Sequence, residues 1–213
     1  MLIWPDTSIV RFFYQNNLHK SQGAGFKVIE FGCGSAANLK PFIEAGWQVY
    51  GVDMNLAPNL LESGEGKRKF ITHDLNLPLP EEIRDLHFDV ILFPQILYYL
   101  SPTSRENLLT WTANHLKEKG LWLLTERALD DYRAVHTQLS VIDEGAQMGT
   151  INFRETNELG LTVIFWPKVA LINNLSRIFA RPESKITILE SFFENMSNGK
   201  IIQNSDLLVW GGN

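Results

Sequence analysis

The residue types that could do chemistry gather between Lys27 and Asp53. The run Lys27-Val-Ile-Glu-Phe-Gly-Cys-Gly-Ser-Ala-Ala-Asn38 leads from Val28, Ile29 and Phe31 into Gly32 and Gly34. The apolar residues read as a short buried strand, and the glycines allow a tight turn whose backbone can approach a ligand closely. Asp53 follows Gly34 by 19 positions, where a carboxylate can accept hydrogen bonds from two ribose hydroxyls. Between them, Ser35 to Ala45 has helical spacing, and Trp47 to Val52 reads as a second strand ending in the acid. The unit is a βαβ with a nucleotide-type pocket at its first turn.

The glycines alone leave the ligand open, because Gly32-x-Gly34-x-x-Ala37 also satisfies a dinucleotide fingerprint. Glu30 discriminates. A carboxylate at the end of an apolar strand repels a pyrophosphate and attracts a cationic amino-acid portion. S-adenosylmethionine carries both an ammonium and a sulfonium. Glu30-Phe-Gly-Cys-Gly34 resembles the first motif of class I S-adenosylmethionine-dependent methyltransferases, and Asp53 matches that family's ribose-binding acid. The resemblance implies that Glu30, Gly32, Cys33, Gly34, Asn38, Asp53 and Met54 hold the cofactor. It extends to His73-Asp74-Leu75, where the family contacts the adenine amino group, and to Pro94 and Gln95 after the fourth strand. Asp74 could equally cap the Asn76-Leu-Pro-Leu-Pro turn. The form Gly-x-Gly-x-x-x-Asn looks most like the tellurite-resistance and thiopurine type of small-molecule methyltransferase. One departure stands out: Ala36 occupies the position of a frequent third glycine.

Residues 6–19 read as an N-terminal helix capped by Asp6, with Ile9, Val10, Phe12 and Phe13 as its apolar face. Ser21 to Gly25 connects it to the first strand. Asn55 to Ser63 reads as a helix ended by Gly64-Glu-Gly66, Lys69 to Thr72 as the third strand, and Phe88 to Phe93 as the fourth. Ser101-Pro102 starts a helix running to about Lys119, which Gly120 ends, and Leu121 to Thr125 is the fifth strand. Asp130 to Leu139 reads as helix, Thr150 to Phe153 with Leu161 to Trp166 as a hairpin, and Pro167 to Ala180 as helix. Ser184 to Phe193 and Lys200 to Trp210 flank Asn198-Gly199, a strong hairpin turn.

The resemblance implies an α/β, Rossmann-like, doubly wound fold: a mostly parallel seven-stranded sheet with an antiparallel C-terminal hairpin. The expected layout is a single domain over 1–213. It has a leading helix in 1–25, a cofactor core in 26–127, a substrate-side cap in 128–183 and a closing hairpin in 184–213.

Composition narrows the function. At 213 residues, with 45% apolar and 20% charged residues, the chain has the makeup of one soluble globular domain. The net charge of −5 disfavours a nucleic-acid partner, which needs a basic surface, and points to a small-molecule substrate. One cysteine forms no internal disulfide, and Met1-Leu-Ile-Trp-Pro carries no signal-peptide pattern. A cytoplasmic protein without membrane contact is the expectation. Five histidines and the cysteine show no metal-ligand spacing, so no metal is expected.

Methyl transfer is a displacement at a carbon activated by positive sulfur, so the protein supplies position and electrostatics more than a dedicated base. Catalytic candidates are therefore Tyr98, Tyr99 and His136, with Gln95, Glu126, Arg127 and Tyr132 beside them. The tyrosines could stack on a substrate or face the sulfonium, or simply pack in the core. Phe93-Pro-Gln-Ile96 departs from the Asn/Asp-Pro-Pro-Tyr element of methyltransferases acting on exocyclic or amide nitrogens. A nicotinamide-dependent oxidoreductase and a non-catalytic binding module remain the competing readings.

Overall fold

The computed structural model describes residues 4–23, 25–61, 66–180 and 185–212. Helix α1, Thr7–Gln15, starts where Asp6 caps it, the Ser8 amide donating to the carboxylate at 2.7 Å. Ile9, Phe12 and Phe13 are buried along one stripe. Val10, expected among them, turns outward and is exposed.

Five parallel strands form the core of the sheet: β1 (Lys27–Phe31), β2 (Gln48–Asp53), β3 (Arg68–Thr72), β4 (Phe88–Phe93) and β5 (Leu116–Ala128). Their order is β3-β2-β1-β4-β5. The crossovers carry α2 (Lys40–Glu44), α3 (Pro58–Leu61), α4 (Glu81–Arg84) and α5 (Pro102–His115). Most are shorter than their sequence patterns predict, for local reasons. Proline fits only a helix's first turn, so α2 begins just before Pro41, after a 3-10 turn at Ala37–Leu39. Gly46, at φ +81°, then ends it. Helix α3 begins at Pro58, and the expected end at Ser63 to Glu65 lies outside the described residues.

Helix α5 ends at His115, four residues before the expected limit, and the chain enters β5 directly. The pairing register with β4 jumps from Phe88↔Leu116 to Val90↔Leu121, leaving an irregularity at the strand's start. Lys119 takes φ +63°, and a Cβ on Gly120 would lie 2.9 Å from the Lys117 carbonyl oxygen. Gly120 thus shapes the bulge rather than the helix end.

The segment 128–183 forms α6 (Tyr132–Val135), β6 (Ser140–Val141), β7 (Gln147–Thr150), β8 (Thr162–Trp166) and α7 (Lys168–Ile178). The expected helix over 130–139 is thus one turn. The expected hairpin is present, with its first strand three residues earlier, pairing from Gln147↔Phe165 to Thr150↔Thr162. Strand β8 joins β5 in parallel at Arg127↔Phe165 and Ala128↔Trp166, on the edge that β4 leaves at Phe93↔Leu124. The insertion therefore continues the sheet.

The chain closes with β9 (Ile186–Ser197) and β10 (Lys200–Gly212) around Asn198 and Gly199, both at positive φ as a two-residue hairpin turn requires. Strand β10 runs antiparallel to β5 from Asp206↔Arg127 to Gly212↔Leu121. The seven expected strands thus stand as β3-β2-β1-β4-β5-β10-β9, and β8, β7 and β6 bring the sheet to ten.

Apolar clusters cover both faces. On one, Phe12 and Phe13 of α1 pack with Val28, Leu39, Phe42 and Trp47. On the other, Leu109 of α5 and Leu175 of α7 pack with Phe31, Phe93 and Trp122. The Trp122 ring stacks on Phe179 at 4.4 Å. Each such fully buried large side chain contributes roughly 1.5–3 kcal/mol. No helix among the described residues is long and apolar enough to cross a membrane.

Candidate functional site

Parallel strands align their carboxyl ends, and ligands of open α/β sheets bind beyond that edge. Gly32 follows β1, Asp53 ends β2, Asp74 follows β3 and Pro94 follows β4. The first turn is held from beneath: the Gly32 and Cys33 amides both donate to the Val52 carbonyl, at 2.7 and 3.2 Å. Gly32 and Gly34 sit at φ +75° and +48°. A Cβ on Gly32 would lie 2.8 Å from the Ile96 Cβ, whereas one on Gly34 would meet nothing nearer than Asp53 Oδ2 at 4.0 Å. The Gly34 side of the turn is therefore open to a ligand. Ala36 takes φ +58°, the left-handed conformation a third glycine would adopt freely.

The acids are fixed by this loop. Asp53 Oδ2 accepts from the Gly34 amide at 2.8 Å, and its Oδ1 accepts from the Asn55 amide at 2.7 Å. Glu30 is fully buried, with Oε1 accepting from Asn38 Nδ2 at 2.8 Å. Its Oε2 is buried with no hydrogen-bond partner among the described residues. The Asn38 amide oxygen accepts from the Asp6 backbone N–H at 2.8 Å, and Gln95 Nε2 donates to Asp6 Oδ2 at 3.4 Å. Burial pushes the Glu30 carboxyl up to about 8 against the Asn38 hydrogen bond, with the Asp53 and Asp6 charges adding to the rise. A buried carboxyl with one free oxygen, in a cluster of acids, is an arrangement completed by a cation.

Other expected cofactor residues play different parts. Asn38 uses both ends of its amide within the scaffold. Cys33 packs beneath the loop: a Cβ on Gly51 would lie 2.7 Å from its Sγ, and burial raises the thiol, keeping it neutral. Leu75 contributes its side chain to the core, while Met54 is exposed at the rim. Asp74 Oδ1 accepts from the Asn76 amide at 2.9 Å, so the turn-capping role is realised.

Of the catalytic candidates, Tyr98 and Tyr99 pack edge to face with ring centroids 4.5 Å apart, and His136 packs elsewhere, on Tyr132. Tyr98 is buried under the Arg127 guanidinium, whose carbon lies 4.8 Å from the ring centroid, and burial raises its phenol well above the ordinary range. The Tyr99 hydroxyl donates to Glu158, and burial with that contact pushes it up to about 12. His136 is exposed, stacks on Tyr132 at 4.0 Å and places Nδ1 2.8 Å from the Tyr132 carbonyl oxygen. The two tyrosines are thus engaged within the fold, whereas His136 stands exposed on its one-turn helix.

Glu126 and Arg127 are also buried rather than rim groups. Glu126 pairs with Arg105 at 2.7 Å, and that guanidinium lies 4.4 Å from the Trp166 centroid. Arg127 pairs with Asp206 at 3.1 Å, Asp131 at 3.4 Å and Glu158 at 3.8 Å, and Arg133 pairs with Asp131 and Glu158.

A cavity of about 600 Å³ adjoins the cradle through Asp6 and Gln95, lined otherwise by Thr125, Leu189, Phe193 and Asp206 among others. Its walls come from the start of α1, the end of β4, β5 and the β9–β10 hairpin; residues 128–183 contribute none. Sequence reading missed Thr125 and Asp206. Asp206 did carry the signal that marked Glu30, a carboxylate inside an otherwise apolar strand.

Comparison with known proteins agrees with this geometry. The family described as a methyltransferase domain matches residues 8–159. No curated protein matches the sequence significantly. Among solved structures, a Burkholderia thailandensis 1,6-didemethyltoxoflavin-N1-methyltransferase with bound 1,6-didemethyltoxoflavin and S-adenosylhomocysteine is 14% identical. It superposes with TM-score 0.60 over 97% of this chain and 79% of its own. The glycopeptide N-methyltransferase MtfA complexed with S-adenosylmethionine is 14% identical, with TM-score 0.55 over 99% of this chain and 95% of its own. TehB from Haemophilus influenzae is also 14% identical, with TM-score 0.62 over 98% of this chain and 62% of its own. At such identities the likeness is one of fold, and the family match spans most of the sequence. The chain belongs to the methyltransferase-domain family, the class I S-adenosylmethionine-dependent methyltransferases that its glycine turn and acids resemble.

Proposed function

We propose that this protein transfers a methyl group from S-adenosylmethionine to a nitrogen, oxygen or sulfur nucleophile of a small molecule. The single observation that carries the reading is Glu30: fully buried, one oxygen on Asn38, the other with no partner among the described residues. An ammonium placed there completes the carboxylate, whereas a pyrophosphate would be repelled. Asp53, fixed by the Gly34 and Asn55 amides, is placed for ribose hydroxyls, and Asp74 sits after β3 for an adenine amino group. S-adenosylmethionine is thus the cofactor the site fits. When bound it supplies a methyl carbon made electrophilic by positive sulfur. The chain's residues hold it in place, and Asp6 and Gln95 line the adjoining cavity in which an acceptor would sit.

Calorimetric titration with S-adenosylmethionine and, separately, NADH tests this. Saturable binding of the first alone is expected, weakened at least tenfold in Asp53→Ala and in Glu30→Gln. NADH binding with no response to S-adenosylmethionine would replace the reading with an oxidoreductase.

A further inference from the structure

Resting on the proposed methyl transfer, we infer that the cavity takes a small amine as its methyl acceptor. Its nitrogen is held between Asp206 and Thr125, and its apolar body lies against Leu189, Leu208 and Phe193. Thr125 and Leu208 are cross-strand partners, and Asp206 lies two residues along β10 on the same face. Both polar residues are more than nine-tenths buried and line the cavity. Thr125 makes no side-chain hydrogen bond among the described residues. Asp206 gives Oδ1 to Arg127 at 3.1 Å, and no partner among the described residues takes its Oδ2. With no partner among the described residues, these two oxygens are acceptors on the cavity wall that a ligand's donor can reach.

Charge specifies which donor. Around Asp206 two guanidinium groups, Arg127 and Arg133, face three carboxylates, Asp131, Glu158 and Asp206 itself. The cluster is one positive charge short. Asp6 stands at the same cavity, its Oδ1 bound to Ser8. Glu190 is paired outward with Lys168 at 2.7 Å, and Arg11 lies exposed at the mouth. An ammonium supplies the missing charge and several N–H donors. An alcohol supplies one donor without charge, and a carboxylate adds repulsion.

The step balances simply. The ammonium gives one proton to Asp206, which passes it to solvent. The freed lone pair forms the new N–C bond as the C–S bond breaks, its electron pair staying on sulfur. The methylated nitrogen then loses its surplus proton by the same route. Burial pushes the Asp206 carboxyl up to about 6 despite Arg127, with Asp131 and Asp6 raising it and Arg133 opposing. It is therefore ionised at neutral pH and still able to carry a proton.

Binding of three probes with one body and different heads tests the inference: 2-phenylethylamine, 2-phenylethanol and 3-phenylpropionate. Each is titrated into the protein saturated with S-adenosylhomocysteine at pH 7.5. The amine is expected to bind at least tenfold more tightly than the others. Asp206→Asn should abolish that preference, and Thr125→Val should reduce it several-fold, with S-adenosylhomocysteine affinity unchanged in both. Should Asp206→Asn fail to fold, Thr125→Val, which leaves the Arg127 pair intact, decides. Equal binding of the alcohol or the acid, no binding of the amine, or a preference that survives substitution would overturn the inference. Failure to bind S-adenosylhomocysteine at all would instead strike the methyltransferase reading.

Discussion

If Glu30 takes the cofactor's ammonium, as proposed, cofactor binding should depend on pH. In the free protein its carboxyl is pushed up to about 8, so at pH 7 about nine in ten molecules carry it protonated. An ammonium beside the free Oε2 requires the ionised form. Ionising Glu30 at pH 7 therefore costs about 1.4 kcal/mol, and about twice that at pH 6. The ligand's own α-ammonium titrates oppositely, with an ordinary value near 7.7–8.0. Combining the two, the apparent dissociation constant should fall about 15-fold between pH 6 and pH 7.5 and rise again above pH 8.5. Binding at pH 7 should release about 0.8 proton, most of one from Glu30 less a small uptake by the amine.

Calorimetry in buffers of different ionisation enthalpy reads both quantities on the same protein. Glu30→Gln separates this explanation from any other: it stays neutral, binds more weakly at pH 7.5, and should show no change between pH 6 and 7 and no proton release. A wild-type affinity flat from pH 6 to 7.5, or a pH slope that persists in Glu30→Gln, would refute the assignment of the cation to Glu30.

The same carboxyl governs stability. Its folded value lies above its unfolded value of 4.5, so the protonated form's contribution is full below about pH 4.5 and is lost as pH rises through about 8. Glu30→Gln should therefore gain on wild type with rising pH, by about 3 kcal/mol at pH 7 without ligand, read by urea unfolding. Gly32→Ala should be far more damaging than Gly34→Ala, because only the first meets Ile96 at 2.8 Å; the second is expected to cost about 1–2 kcal/mol from positive φ alone. Ala36→Gly relieves left-handed strain while loosening the unfolded chain, so its thermal midpoint should stay within a few degrees of wild type. Arg105→Ala strands buried Glu126 and should cost about 3–5 kcal/mol.

How much of this was legible depended on whether the signal was local. The βαβ unit, the places of the first five strands along the chain and the Asn198-Gly199 hairpin follow from apolar runs, glycines and turn residues read within a dozen positions. Glu30 and Asp53 were legible because a carboxylate ending an apolar strand needs a reason. The surroundings of Tyr98, Tyr99 and His136 were not legible, because type and position in sequence say nothing of which face a side chain takes. Arg127 covers Tyr98, and Glu158, 59 residues from Tyr99, occupies its hydroxyl. The cavity beside Asp6 was illegible for the same reason, being assembled from α1, β5 and the β9–β10 hairpin, which meet through the antiparallel return of the last strand. Asp206 is the instructive case. It interrupts Ser205-Asp206-Leu-Leu-Val209 as Glu30 interrupts its own strand, and it too is a buried acid, though one that lines a cavity. Both acids face α1's capping residue, one through Asn38 and the other across the cavity. Asp6 thus touches both the Glu30–Asn38 pair and the cavity, and in the proposed reading the N-terminal helix sets how cofactor and acceptor meet.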